Sequence, residues 1–387
     1  MTTENTEKKS EIAPKKTIAN KFSLTEEYLN ERYLLRNNII SLDIEIRKKE
    51  ASKWRILCEN SLYIELQKEG INISIANLLA LLKSDFVPDY NPFESYFSNL
   101  PEWDGIDHIG NLASYVHTND QASFELHFRK WMVRVIKTAI DPRFFNKQAL
   151  IFVHDKQNSG KSTFCRFLCP PTLGDYISEN ISIDKDSRIA LATNILINLD
   201  ELATLSRRDI NSLKALFSKE KINDRLPYER KASVIPRRCS FIGSTNEMEF
   251  LMDETGSVRW LCFEIEKIDW EYSKKIDIDL VYAQAYHLVK TKFDCNLSLD
   301  EINENESRNQ AFQILSEERQ LIQKHFTHDE TEDPNSFRTA TDIKTKLSQM
   351  LNINYLNVVK IGKALKQIDI PKKKLNGVYG YYLDSKI

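Results

Sequence analysis

The chain has 387 residues, enough for two or three domains. It is 41% hydrophobic and 28% charged with a formal net charge of -2, the make-up of a soluble globular protein, so any nucleic-acid-binding face must be local. No apolar run approaches the roughly 18 residues of a membrane span, and the N-terminus lacks an apolar signal region, so a cytoplasmic protein with no membrane partner is expected. The six cysteines lack paired C-x-x-C spacing, and Cys165 and Cys169, one helical turn apart, read as packing residues rather than metal ligands. Glycine is scarce, which suits a helix-rich fold.

Residues 1–21 are polar and lysine-dotted with no aromatic residue, the composition of a disordered tail. Residues 22–90 read as a small α+β region. Tyr33 to Ile46 has the pattern of a hairpin, and Ser74 is placed to cap a helix running to Leu82. No paired carboxylate cluster stands out there, which argues against a polymerase or primase site. Residues 91–147 read as a helical subdomain. Pro92 suits a helix start, helical spacing covers 107–117 and 122–140, and Phe124, Phe128, Trp131, Met132, Val135, Ile136 and Ala139 form one apolar stripe of core character.

The core proper spans 148–270. The apolar run Ala149–Val153 is followed by a polar loop, then Gly160-Lys161-Ser162-Thr163, then a helical stretch from Phe164. Strand, loop, Gly-Lys-Ser and helix is the order of a phosphate-binding loop. Small residues there let backbone N–H groups face phosphate oxygens. Asn158, Ser159, Gly160, Lys161, Ser162 and Thr163 are therefore the candidate ATP-binding residues, with Lys161 neutralising phosphates and Ser162 ligating Mg²⁺. Asp155 stands where the pattern has its first glycine; aspartate tolerates left-handed backbone better than most residues. A second buried-strand pattern, Ile195–Leu199, ends in Asp200-Glu201. Asp200 is the candidate Mg²⁺ partner and Glu201 the residue that polarises water. A third strand, Cys239–Thr245, ends at Asn246, which can orient that water. Between them, residues 222–234 read as a hairpin whose tip carries Arg225, Tyr228, Arg230 and Lys231, candidates for gripping a DNA backbone. Arg259 follows as a candidate for a neighbouring subunit's γ-phosphate.

Residues 271–326 read as helical with Val281, Ala285, Leu288 and Val289 on one face, 327–336 as an acidic linker, and 337–387 as two helices and a hairpin around Asn376-Gly377. Helix, helix and basic hairpin outline a winged helix. From Lys360 to Ile387 there are seven lysines and two aspartates, so Lys372, Lys373 and Lys374 are further candidates for DNA contacts.

Several of these segments together carry a family resemblance. Ser159–Phe164, Leu199–Glu201, Arg225–Arg230, Pro236–Asn246 and Phe250–Trp260, with Tyr96–Gly105 upstream, resemble the virulence-associated E (VapE) family of mobile-element P-loop ATPases, similar to superfamily 3 helicases of the AAA+ class. The resemblance covers roughly residues 90–270 and implies a P-loop AAA+ ATPase core with a parallel sheet; with the helical N-terminal subdomain and the C-terminal winged-helix-like domain read from the residues, the expected fold class is α/β. It implies Walker A at Gly160, Lys161 and Ser162, Walker B at Asp200 and Glu201, sensor 1 at Asn246 and an arginine finger at Arg259. It further implies ATP and Mg²⁺ as cofactors and a hexameric ring acting on single-stranded or forked DNA. The expected activity is an ATP-dependent helicase or translocase; the alternative is a nucleotide-dependent regulatory ATPase that interferes with replication without unwinding.

Overall fold

The computed structural model describes residues 20–179, 181, 185–200, 202, 213–224, 233–251 and 258–386. The fold is mixed α/β. At the N-terminus a helix, Lys21–Arg32, precedes strands β1 (Tyr33–Asn38), β2 (Asp43–Lys48), β3 (Arg55–Ile56) and β4 (Asp89–Tyr90), in the sheet order β3-β2-β1-β4. The expected hairpin is β1–β2, and Ser74 caps its helix by accepting from Asn77 N. The expected tail falls on residues outside the described ones up to 19, and its last residue, Lys21, already begins the helix that Asn20 caps. This unit has its own core around Leu29, Leu66 and Leu78, and it is tied to the centre by Asn38 Nδ2 donating to the Tyr176 hydroxyl at 2.7 Å.

The central sheet is built from β5 (Val116–Thr118), β6 (Ala149–Val153), β7 (Ile177–Glu179), β8 (Leu196–Leu199), β11 (Ser240–Thr245) and β12 (Trp260–Ile268). Its order is β5-β12-β6-β11-β8-β7, with β5 antiparallel at one edge and the other five strands parallel. Every residue of β6, β8 and β11 is buried. Such strands need cover on both faces, which explains their continuous apolar character. Helix Gln121–Ile140 covers one face, with the seven-residue stripe from Phe124 to Ala139 wholly inaccessible. Leu191, Leu213, Phe217 and Trp260 form the core on the other. Cys165 and Cys169 are buried packing residues. The helix expected over 107–117 is shorter, His108–Ala113, because Val116–Thr118 joins β12 as a strand.

Strands β9 (Lys221–Asp224) and β10 (Ser233–Pro236) make the expected hairpin. Its root is pinned by Arg237, fully buried, whose guanidinium donates to four main-chain carbonyls: Cys239 at 3.0 Å, Phe217 at 2.7 Å, Leu216 at 3.4 Å and Asn146 at 2.7 Å.

The C-terminal unit departs from expectation at its start. The acidic segment 327–336 is not a linker. It carries β13 (Phe326–His328) and a turn built on Asp329, whose carboxylate accepts from Thr331 N, Asp333 N and the Thr331 and Ser336 hydroxyls. Ile322 and Phe326 belong to the same core as Ile343, Leu347, Ile361 and Leu365, so helix Glu317–His325 is part of this unit. Helices Ala340–Leu351 and Val358–Gln367 follow, with β14 (Phe337–Arg338), β15 (Lys373–Leu375) and β16 (Val378–Ser385). β16 pairs with β13, β14 and β15. The β15–β16 turn holds Asn376 at φ 50° and Gly377 at φ 86°, the two left-handed positions a tight hairpin requires. Among the described residues, no helix is long and apolar enough to cross a membrane.

Candidate functional site

The parallel strands all deliver their C-terminal ends to one edge of the sheet. The chain leaves β6 toward β7 on one side and leaves β11 toward β12 on the other, so the crevice beside β6 and β11 is where an open α/β sheet places a ligand. A cavity of about 490 Å³ lies there, lined by Gln157 to Thr163, Arg166, Asp200, Ser244, Thr245, Asn246 and Trp270.

The loop leaving β6 turns through two left-handed residues, Asn158 at φ 57° and Gly160 at φ 87°. Asp155 is not one of them, so a glycine is dispensable at that position. Its carboxylate is mostly exposed and lies 3.2 Å from His154 Nδ1, which accepts from Lys156 N. Gly160 caps the helix Lys161–Phe167, whose first N–H groups have no partner within the helix.

Lys161 is 5% exposed, and its ammonium shares its three protons among four acceptors, Ser159 Oγ at 2.8 Å, Asn246 Oδ1 at 2.9 Å and the carbonyls of His154 and Lys156 at 3.2 Å. Burial pulls its pKa down, and the charges of Asp200 and Asp155 oppose that pull. Ser162 Oγ donates to Asp200 Oδ1 at 2.7 Å, Ser244 Oγ donates to the same oxygen at 2.8 Å, and the two hydroxyls are 3.2 Å apart. The strand register explains this meeting. Gly243 pairs with Leu199, so the next residues, Ser244 and Asp200, emerge side by side. The pairing is close because position 243 is glycine: a Cβ there would lie 2.6 Å from the Leu199 carbonyl oxygen. Arg166 sits 3.5 Å from Asp200 Oδ2 and donates to Glu179 at 2.7 and 3.3 Å.

Eight sequence-predicted residues therefore line one cavity: Asn158, Ser159, Gly160, Lys161, Ser162, Thr163, Asp200 and Asn246. Arg259 is elsewhere. Its carbonyl accepts from Ala149 N, at the end of β6 opposite the loop, and its side chain donates to Ser218 Oγ at 2.9 Å. Glu201, Arg225, Tyr228, Arg230 and Lys231 lie outside the described residues. Lys372, Lys373 and Lys374 are exposed at the β15–β16 hairpin, where Lys372 and Lys374 lie over the Tyr379 ring and Lys373 pairs with Glu332 at 3.1 Å. The sequence reading missed Ser244, Arg166 and Trp270. Ser244 was visible as a polar residue two positions before Asn246 at the end of a largely apolar strand; no sequence signal singled out Trp270.

The chain is similar in structure to the apo C-terminal region (305–718) of NrS-1, with TM-score 0.53 and 15% identity over 94% of this chain and 99% of that one. An A-form apo structure of the NrS-1 C-terminal region gives TM-score 0.51 and 15% identity over 94% and 100%. At that identity the likeness concerns the fold alone. Among curated proteins none matches. A family model for the virulence-associated protein E-like domain matches residues 97–314, more than half of the chain and all of the cavity's lining, and the chain belongs to that family.

Proposed function

We propose that the chain is an ATP-hydrolysing, DNA-engaging protein of the AAA+ class, a superfamily 3 type helicase serving replication of a phage or other mobile element from the cytoplasm. The observation that carries this reading is the convergence of Lys161, Ser162, Asp200, Ser244 and Asn246 at the C-terminal ends of three adjacent parallel strands.

The residues fit the ligands. A hydroxyl and a carboxylate 2.7 Å apart are the hard oxygen donors Mg²⁺ takes, so Ser162 and Asp200 would hold it. A bound Mg²⁺ supplies charge neutralisation at the phosphates. Lys161 now spends its donors on loop carbonyls, a serine and an asparagine, and a phosphate offers it stronger acceptors. Asn158, Ser159, Gly160 and Thr163 would wrap the phosphates with the loop. Asn246 would orient the attacking water, and Glu201 would polarise it. Arg259 lies too far along β6 and β12 to serve the cavity of its own chain, and this supports a role at a neighbouring copy's γ-phosphate in a homo-oligomeric, hexameric ring.

DNA would meet two basic elements: the β9–β10 hairpin tip with Arg225, Tyr228, Arg230 and Lys231, and the C-terminal unit as a winged helix, with Lys372, Lys373 and Lys374 on its wing. The three-helix, hairpin-tipped outline of that unit supports the second. The test is ATP turnover and strand displacement on forked DNA. Lys161→Ala abolishes both, and the unaltered protein displaces a strand with ATP but not with a non-hydrolysable analogue. Undiminished hydrolysis in Lys161→Ala refutes the site; hydrolysis without displacement by the unaltered protein refutes the helicase and favours a regulatory ATPase.

A further inference from the structure

Trp270 closes one side of the cavity. It follows β12, the strand hydrogen-bonded to β6 on the side away from Asp200 and Ser244. The six-membered part of its indole lies against Gly160: a Cβ on that glycine would fall 2.9 Å from Trp270 Cζ2 and 3.1 Å from Cη2. A side chain at this position would push the ring aside, so the glycine serves the contact as well as the turn.

The turn that presents Trp270 is fixed on both sides. Asp269 N donates to the Tyr115 carbonyl at 2.8 Å, and Ser273 N and Oγ donate to the Trp270 carbonyl. Tyr272, 1% exposed, packs edge-on against Phe164 and Phe167 of the helix that follows the loop. Yet Trp270 itself is 51% exposed. Among the described residues, nothing covers this large aromatic ring, held on a rigid turn with half of it facing solvent at the cavity. Apart from Gly160, the rest of the lining is polar or charged, and it is suited to phosphates and a cation. The indole offers an apolar, π-rich face and, at its edge, a single N–H donor.

We infer that Trp270 is the stacking platform for the nucleobase of the bound nucleoside triphosphate, and that this platform accepts purine and pyrimidine alike. The inference rests on the nucleotide site proposed above and adds how the base is held. Every base has a π-face, so stacking is tolerant of base identity. Gln157 and Asn158, which share the lining with the indole, are both exposed, so any contact they make to a base edge competes with water.

Calorimetric titration of the full chain in Mg²⁺ with ATP, CTP and inorganic tripolyphosphate tests this. Trp270→Ala weakens ATP and CTP each by about 10-fold and leaves tripolyphosphate unchanged. Trp270→Leu, which fills space without a π-face, behaves as the alanine variant does, whereas Trp270→Phe retains most of the affinity. Lys161→Ala weakens all three ligands. The platform is refuted if Trp270→Ala binds ATP normally, if it loses tripolyphosphate in proportion, or if Trp270→Leu retains affinity for ATP. A Lys161→Ala variant with undiminished tripolyphosphate binding instead overturns the phosphate site, so the two failures are told apart.

Discussion

Replacing Ser244 with alanine removes one hydroxyl from the least exposed part of the cavity and little else. Ser244 is 3% exposed and donates to Asp200 Oδ1 at 2.8 Å, the oxygen that also accepts from Ser162. If Ser162 turns its oxygen to a bound Mg²⁺, Ser244 still donates to this carboxylate and helps to aim it. Arg166 does not substitute for it, because its 3.5 Å approach to the other oxygen is half-exposed and such pairs contribute about 0–1 kcal/mol. A buried hydrogen bond to a charged group is worth about 1.5–3 kcal/mol. The half-saturating Mg²⁺ concentration for ATP turnover should therefore rise by roughly 10- to 100-fold. Steady-state turnover against Mg²⁺ measures this, with nucleotide binding in a chelator as the control that stays unchanged. Ser244→Ala with unaltered Mg²⁺ dependence would refute the coupling between Ser244, Asp200 and the metal.

Gly243→Ala drives a Cβ to 2.6 Å from a backbone oxygen of β8, so strands must part; overpacking of this kind costs about 1–3 kcal/mol, and a calorimetric Tm equal to that of the parent would contradict the register. Lys372→Ala with Lys374→Ala should lower the salt slope of duplex binding, read by fluorescence anisotropy, by up to about 0.9 for each lost phosphate contact. Lys373→Ala should do less, since that lysine already pairs with Glu332, and unchanged slopes throughout would remove the hairpin from the DNA interface. Asp329 is held well below the ordinary carboxylate range, first by the Ser336 hydroxyl and then by Thr331. A depressed folded value means its stabilisation is complete above the unfolded value of about 3.9 and is lost as pH falls below it. Asp329→Asn should melt earlier than the parent at neutral pH, with the gap closing below about pH 4; a gap independent of pH would refute the assignment.

The parts of the fold legible in sequence were those written in one continuous stretch. Ala149–Val153 and Ile195–Leu199 announce buried parallel strands because no polar residue interrupts Ala149–Val153 and only Asn198 interrupts the second. The turn at Asn376-Gly377 announces itself through two residues that tolerate positive φ. Contacts between distant segments were not legible. The Ser244–Asp200 bond follows from a pairing register, and the Trp270–Gly160 contact from the lateral order of strands, neither of which periodicity encodes. The acidic segment 327–336 misled for a related reason. Its charges look like those of a solvated linker, but Asp329 turns inward to four donors from its own loop. Arg259, expected to serve a neighbouring copy, sits at the end of β6 opposite the loop of its own chain, a placement that follows from strand order rather than from any local pattern.

The buried guanidinium of Arg237 has a mechanical consequence. It grips carbonyls from the segment before β6, the segment before β9 and its own strand entry, four acceptors that a lysine ammonium with three protons cannot all satisfy. Hairpin root and strand root thus behave as one stiff joint. A push on the far end of the β9–β10 arm is not absorbed by play at its base but is delivered to Asn146, three residues ahead of the strand that leads into the Gly160 loop.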